Sequence, residues 1–242
     1  MLKVGILVLG LVLCVGSEAS AQSLSLDFGN GGSVTATTVQ LIALLTILSI
    51  APGIAITVTC FPFMVTVMAI LRQAIGLQQS PPNMLMISLA LFLTFFVMEP
   101  VFLDAWDQGI QPLLNEEISN EEGFRRGFEP FRIFMAAHID QETFATMARL
   151  RPELELTEPS PDTPLSILIS TFLLSEIARA FQVGFLIFLP FLVIDLVVAA
   201  VLMSMGMMMV PPAIVSLPFK LAFFVVANGW ALVAESLVRS YQ

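Results

Sequence analysis

The sequence predicts an all-α, membrane-associated protein built from kinked helical hairpins with a small polar helical insertion. First, the 242 residues are 57% hydrophobic and only 12% charged, with a mean hydropathy of +0.91. Soluble domains are typically ~45–50% apolar and ~25% charged. Second, long uncharged runs are interrupted by prolines. Third, most acidic residues lie between Glu99 and Asp162, so the net charge of -9 belongs largely to one polar segment.

The first residues have the pattern of a cleavable signal peptide, predicted to span residues 1–21. Lys3 is followed by an apolar run from Val4 to Val15 and an A-x-A site at Ala19–Ala21. A short membrane anchor is the alternative, but the run is shorter than the ~20 residues that a span needs. Cleavage would remove Cys14 and leave Cys60 as the one cysteine. Neither an internal disulfide nor a cysteine metal site is then expected, and Cys60 is interpreted as a packing residue.

Residues 22–103 are predicted to contain a polar leader and the first apolar helical hairpin. No charged residue occurs between Asp27 and Arg72, but prolines at 52 and 62 divide this run into two helical pieces. A polar connector begins at Arg72, and an uncharged, phenylalanine-rich helix follows from Met84 to Met98.

Residues 104–164 are predicted to form an acidic helical segment. Its apolar residues recur at helical spacing, as at Phe124, Phe128, Phe131 and Phe134, and it ends in a proline-rich linker. With a cleaved signal and two crossings, this segment is expected on the outer side of the membrane and Arg72 on the inner side, in agreement with the positive-inside rule.

Residues 165–242 are predicted to form the C-terminal hairpins, with a kink at Pro190. Glu176, Arg179, Asp195 and Lys220 interrupt these apolar runs. A charge at bilayer depth costs ~2.5–3.5 kcal/mol on insertion scales, so each needs a partner or water. Glu176 and Arg179 can pair on one helix face at i, i+3. Asp195 and Lys220 have no opposite charge nearby in sequence. Two roles remain open for them: they hold packed segments together, or they line a polar pathway.

Five of the 13 methionines fall between Met203 and Met209. Successive helical residues point about 100° apart, so three consecutive methionines cannot all face one core. Between Gly206 and the pair Pro211-Pro212, a loop could instead project them together. Three interpretations remain open: core packing, Cu(I) binding by soft thioethers, and a deformable seal around a pore. The copper hypothesis depends on Met203, Met205 and Met207, and the seal depends on the three consecutive methionines, Met207, Met208 and Met209.

The sequence does not favour an enzyme. His138, the only histidine, lies in the acidic segment, where a solvated surface role is expected. No nucleophile–base pair or zinc-binding H-E-x-x-H occurs, so no cofactor is predicted. The acidic net charge also argues against a nucleic-acid partner.

Several long segments together resemble the FliP family, the export-gate proteins of the bacterial flagellar type III secretion apparatus. They are RQAIGLQQSPPNMLMISLALFLTFFVMEPV, EPFRIFMAAHIDQETFATMA, SEIARAFQVGFLIFLPFLVIDLVVAAVLMSMGMMMVPP and LPFKLAFFVVANGW. The resemblance runs from about Leu41 to the end of the chain in consistent order. Virulence-system gate proteins share most of these blocks, but the cleavable signal and the pair Pro211-Pro212 favour the flagellar branch.

The resemblance implies a channel-forming subunit that passes unfolded flagellar proteins across the bacterial inner membrane, within the flagellar basal body. It implies a homo-pentamer in complex with FliQ and FliR, near FlhA and FlhB. In that family the helical hairpins are raised largely out of the bilayer plane.

The resemblance also implies roles for single residues. The methionines at 205 and 207–209 would form a gasket that seals the pore, held as a loop by Gly206, Pro211 and Pro212. Glu176 and Lys220 would pair between neighbouring subunits. Phe185 and Phe188 would face either the lumen or a neighbour.

Overall fold

The computed structural model describes residues 34–77, 81–152, 158–207 and 209–241, and every regular element in these ranges is helical. The predicted all-α class is confirmed. The chain divides into two units, residues 1–49 and 50–242. The predicted signal peptide, the leader up to residue 33, and Met208 lie outside the described residues.

Nine α-helices and one π-helical turn make up the described part of the chain. They are α1 (Val34–Thr57), α2 (Phe61–Ile75), α3 (Asn83–Ala105), the π turn (Trp106–Ile110), α4 (Gln111–Leu114), α5 (Asn120–His138), α6 (Gln141–Ala148), α7 (Leu165–Ser204), α8 (Pro212–Val226) and α9 (Gly229–Arg239).

The centre of the second unit is α2, which packs mainly against α7 and α3. Its buried side chains include Phe63, Met64 and Leu71. Helix α7 approaches closely at Gly184, where an added Cβ would lie 2.4 Å from Cδ1 of Ile70. Helices α7 and α3 therefore bury the apolar side chains of α2 between them.

The predicted break in the first apolar run occurs between α1 and α2. Helix α1 continues through Pro52 to Thr57, and Pro62 lies in the first turn of α2. A proline in a first turn loses no hydrogen bond that the helix needs. Cys60, at the break, is buried and free.

Helix α3 and the two short elements after it form one helical run, Asn83–Leu114. The sequence-based boundary at 103/104 lies inside this run. The exposed acids Glu99 and Asp104 mark a change in polarity along the helix, and the helix does not end there.

Within the described residues, two helical runs are long and apolar enough to cross a membrane, Asn83–Leu114 and Leu165–Ser204. The number rises to four if each bent pair of helices counts as one span; α8 and α9 form such a pair, bent by 63°. These helices are typical of a membrane protein.

Candidate functional site

The methionine run lies at the turn between α7 and α8. Helix α7 ends at Ser204, and Gly206 follows with φ 76°. The Gly206 amide donates to the Met203 carbonyl at 3.0 Å, and the Met207 amide donates to the Leu202 carbonyl at 3.0 Å. This pair of bonds is a Schellman motif, in which a left-handed residue satisfies the last carbonyls of a helix. Residues 205–211 are called the Met loop below.

The two prolines have a different role from the glycine. Helix α7 ends before it reaches them, whereas Pro211 precedes α8 and Pro212 is the first residue of α8. Proline suits a helix start because its φ is already helical and its missing N–H has no partner there. Gly206 therefore ends one helix, and Pro211 and Pro212 begin the next.

The described methionines of this region are exposed. Met209 is 97% exposed, Met203 and Met205 are more than half exposed, and Met207 is 38% exposed. Core packing therefore does not account for them in one chain. An apolar groove of about 590 Å³ lies directly beside the loop, between α7 and α8, and Met205 and Met207 form part of its wall with Val201 and Phe219.

Three side chains form a polar cluster between α7 and α8, called the lysine cluster. Lys220 Nζ lies 2.6 Å from Oδ2 of Asp195, and the Ser216 hydroxyl donates to Oδ1 of Asp195 at 2.6 Å. Lys220 also donates to the Ala74 carbonyl at 3.1 Å, in the last turn of α2. Asp195 and Lys220 thus neutralise each other, which satisfies the two charges that have no neighbour in sequence.

A second group, called the arginine cluster, joins α7 to the residues after α9. Glu176 is fully buried; it accepts a hydrogen bond from the Tyr241 hydroxyl and forms an ion pair with Arg179 at 3.4 Å. The Arg179 guanidinium lies between two rings, 4.7 Å from the centroid of Phe63 and 4.2 Å from that of Tyr241. It also donates to Ser240 at 3.3 Å. Cation–π contacts of this kind strengthen when they are desolvated.

Within one chain, Glu176 and Lys220 therefore have separate partners. Their pairing between subunits stays a prediction, and it would require each to leave or share its present contacts. Phe185 is exposed, whereas Phe188 packs partly against the core.

Sequence reasoning did not identify Ser216 and Tyr241 as members of these clusters. Ser216 could have been found, because it lies one turn before Lys220 on the same face of α8. Tyr241 is the only tyrosine of the chain, but nothing in the sequence indicates which helix it reaches.

His138 lies at the end of α5 and is half-buried, in contrast to the expected solvated position. Its Nδ1 is 2.7 Å from the Phe134 carbonyl, and its ring contacts those of Phe134 and Tyr241. Burial holds the pKa of His138 below its usual value, and the positive charge of Arg179 adds to this effect. The ring is therefore neutral at neutral pH.

The part of the chain that the structure describes contains no group of three His, Cys, Asp or Glu side chains that could bind a metal. The copper hypothesis depends on thioethers instead, and it stays a prediction.

This chain is similar to proteins of one known family. A model described as the FliP family matches residues 44–237. The chain belongs to the FliP family. The FliP match includes the Met loop, the lysine cluster, Glu176 and Arg179, and it ends before Tyr241.

Three FliP relatives illustrate the similarity, and each is named flagellar biosynthetic protein FliP. The chain is 49% identical to that of Caulobacter vibrioides over 97% of this chain and 89% of the relative. It is 46% identical to that of Aquifex aeolicus over 90% of this chain and 91% of the relative. It is 45% identical to that of Bacillus subtilis over 84% of this chain and 92% of the relative.

Proposed function

We propose that this chain is a channel-forming subunit of the bacterial flagellar protein-export gate, and that its Met loop seals the channel. Family membership carries the broader statement that the chain is a component of the flagellar export apparatus, since relatives named for flagellar biosynthesis match almost its whole length. Their names also favour the flagellar over the virulence branch.

The observation that carries the seal is the position of Met205, Met207 and Met209 outside the helices. Met209 projects almost fully into open space, and Met205 is 64% exposed. Thioether side chains are apolar, unbranched and mobile, so several copies around one axis would exclude water and ions. The same side chains could then move aside for an unfolded polypeptide.

The proposed assembly is a homo-pentamer in complex with FliQ and FliR, close to FlhA and FlhB, that passes unfolded flagellar proteins. The long apolar helices support it, because α7 exposes side chains such as Leu186, Val193 and Leu196. Exposed apolar surface of this extent is typical of contacts with lipid or with neighbouring subunits. In this assembly Glu176 of one copy would approach Lys220 of the next.

The proposed location is the inner membrane at the flagellar basal body, with α5 and α6 on the periplasmic side. The charged side chains on the surfaces of these two helices support the proposal that α5 and α6 are exposed to water. Glu122, for example, forms ion pairs with Arg125 at 2.8 Å and Arg126 at 2.6 Å on the surface of α5.

Replacement of Met207, Met208 and Met209 together by alanine tests the seal. We expect the assembled complex to form at its normal mass but to conduct small ions at rest, because alanine is too short to fill the opening. The measurement is single-channel conductance in planar bilayers. Met84→Ala is the matched control, since Met84 is a similarly exposed methionine on α3. A triple variant that assembles and remains as ion-tight as the parent would refute the seal.

A further inference from the structure

The lysine cluster connects three helices at one point of a largely apolar bundle. Asp195 lies about two and a half turns before the end of α7. Ser216 and Lys220 lie one turn apart on α8, and Lys220 reaches the Ala74 carbonyl of α2. Both carboxylate oxygens of Asp195 are used, one by each residue of α8.

The remaining contact between α7 and α8 is apolar, and it includes ring contacts of Phe191 with Phe223 at 5.9 Å and with Phe224 at 6.2 Å. The groove beside the Met loop is lined by apolar side chains alone, among them Val197, Val198, Val201 and Val215. Apolar packing depends on the area buried, and ridges at i±4 spacing fit equivalent grooves after a shift of one turn. Such a surface tolerates a one-turn slip of α8 along α7.

The polar contacts of the cluster do not tolerate that slip. A shift of one turn, about 5.4 Å, would take the Lys220 ammonium out of reach of Asp195 and bring either Ser216 or Phe224 to its place, so the ion pair would be lost in both directions. Ser216 is fully buried and Lys220 is 6% exposed, so water is a poor substitute for the lost partner. The carbonyl of Ala74 fixes the same ammonium to α2, the most buried helix of the unit.

We propose that Asp195, Ser216 and Lys220 form a register lock that sets the position of the Met loop along the axis of the α7–α8 hairpin. With the lock intact, the loop is held at one height relative to α2. With the lock broken, α8 slips along α7 and carries the loop with it. This inference rests on the proposed function for its consequence, which is that the lock keeps the methionines at the height where they seal.

The test measures the register directly and the seal separately. Spin labels are attached to Ile133→Cys in α5 and Ile214→Cys in α8, two exposed positions, with Cys14 and Cys60 replaced by alanine. Labelled full-length chain is diluted with unlabelled chain in the assembled complex, so that the measured distance arises within one copy. Asp195→Asn and Ser216→Ala are compared with the parent by pulsed electron resonance, and ionic conductance is measured on the same preparations.

We expect Asp195→Asn to add a second distance that differs by up to about 5 Å, the length of one helical turn. Ser216→Ala, which removes the hydroxyl that donates to Asp195 but leaves the Lys220–Asp195 ion pair, should populate the same distance more weakly. The exchanged pair Asp195→Lys with Lys220→Asp should restore part of the parent distribution. Glu235→Gln breaks an exposed i, i+4 ion pair with Arg239 on α9 and serves as the control that changes nothing.

The outcomes separate the lock from the seal. An unchanged distance in both Asp195→Asn and Ser216→Ala would overturn the lock, whatever the conductance shows. A changed distance with raised conductance would support the lock and the seal together. A changed distance with unchanged conductance would support the lock and count against the proposed seal.

Discussion

Gly206 illustrates at the residue scale how one backbone conformation creates the Met loop. Its φ of 76° lies in the left-handed region, and two hydrogen bonds close the end of α7 around it. No atom lies within 4 Å of a Cβ built at this position, so an added methyl group would meet no neighbour. The requirement for glycine at position 206 is therefore conformational. The change in unfolding free energy on substitution by alanine reports the cost of the left-handed φ, with no contribution from steric overlap.

Gly206→Ala should destabilise the protein by ~1–2 kcal/mol, the cost of placing a Cβ in the left-handed region. Gly53→Ala is the matched control, because Gly53 also has no neighbour within 4 Å but lies inside α1 at an ordinary φ. Alanine should stabilise that position by ~0.5–1 kcal/mol. The free energy of unfolding of the full-length chain in micelles, from denaturant titration, provides the comparison. Equal changes in both variants would show that the φ of Gly206 is not a constraint.

At the element scale, the π turn crosses α5 so closely that only glycine fits at position 109. A Cβ at Gly109 would lie 2.4 Å from Cα of Gly127 and 2.8 Å from the Gly123 carbonyl of α5. All of these are backbone atoms, which cannot rotate away. A Cβ at Gly127 would have its nearest neighbours at 3.7 Å, an ordinary contact distance.

Gly109→Ala should therefore separate α5 from the π turn and cost about 1–3 kcal/mol, the range of overpacking. Gly127→Ala, at the same crossing, should be nearly neutral. Amide hydrogen exchange of α5 in the full-length chain provides the measurement, with faster exchange expected only in Gly109→Ala. If the two variants exchange alike, the close approach at Gly109 does not hold α5.

The sequence predicted the helices better than their boundaries. Long apolar runs identify α3, α7 and α8, because a membrane-spanning or fully buried helix needs apolar residues on most sides. The predicted apolar helix stopped at Met98 because the acids at Glu99 and Asp104 indicate polarity, whereas α3 continues to Ala105, where its regular backbone hydrogen bonding ends. Gly206 and Pro212 carried clearer signals, since each residue type has a strong preference for one end of a helix.

At the scale of the whole molecule, which charged residues pair with each other depends on how the helices pack in the folded chain. Glu176 and Arg179 could be paired from their i, i+3 spacing, and the structure pairs them. Asp195 and Lys220 meet only because the α7–α8 hairpin closes. Tyr241 reaches Glu176 from beyond the last helix. No local pattern encodes such contacts, which explains why the sequence did not pair Asp195 with Lys220 and did not indicate that Tyr241 contacts Glu176.

His138 connects the acidic segment to the rest of the second unit, because its ring contacts the ring of Tyr241. The positive charge of Arg179 on α7 also disfavours protonation of the His138 ring. Burial and Arg179 lower its pKa in the folded protein, whereas the unfolded chain has a pKa of about 6.5. At pH values between the folded-state pKa and the unfolded-state pKa of His138, the unfolded state binds more protons than the folded state does. Stability is therefore fully present above about pH 6.5 and falls as the pH drops toward the folded-state pKa.

The free energy of unfolding of the full-length chain should accordingly be flat from pH 8 to about 6.5 and then decline by at most about 1.4 kcal/mol per pH unit. His138→Gln should remove most of this slope, because it is the only histidine of the chain. The nearby carboxylate of Asp140 does not interfere. It caps α6 by accepting the Thr143 amide, which lowers its pKa, so it titrates well below this window. A parent protein without the decline, or a His138→Gln variant that keeps it, would show that this junction does not respond to protonation of the histidine.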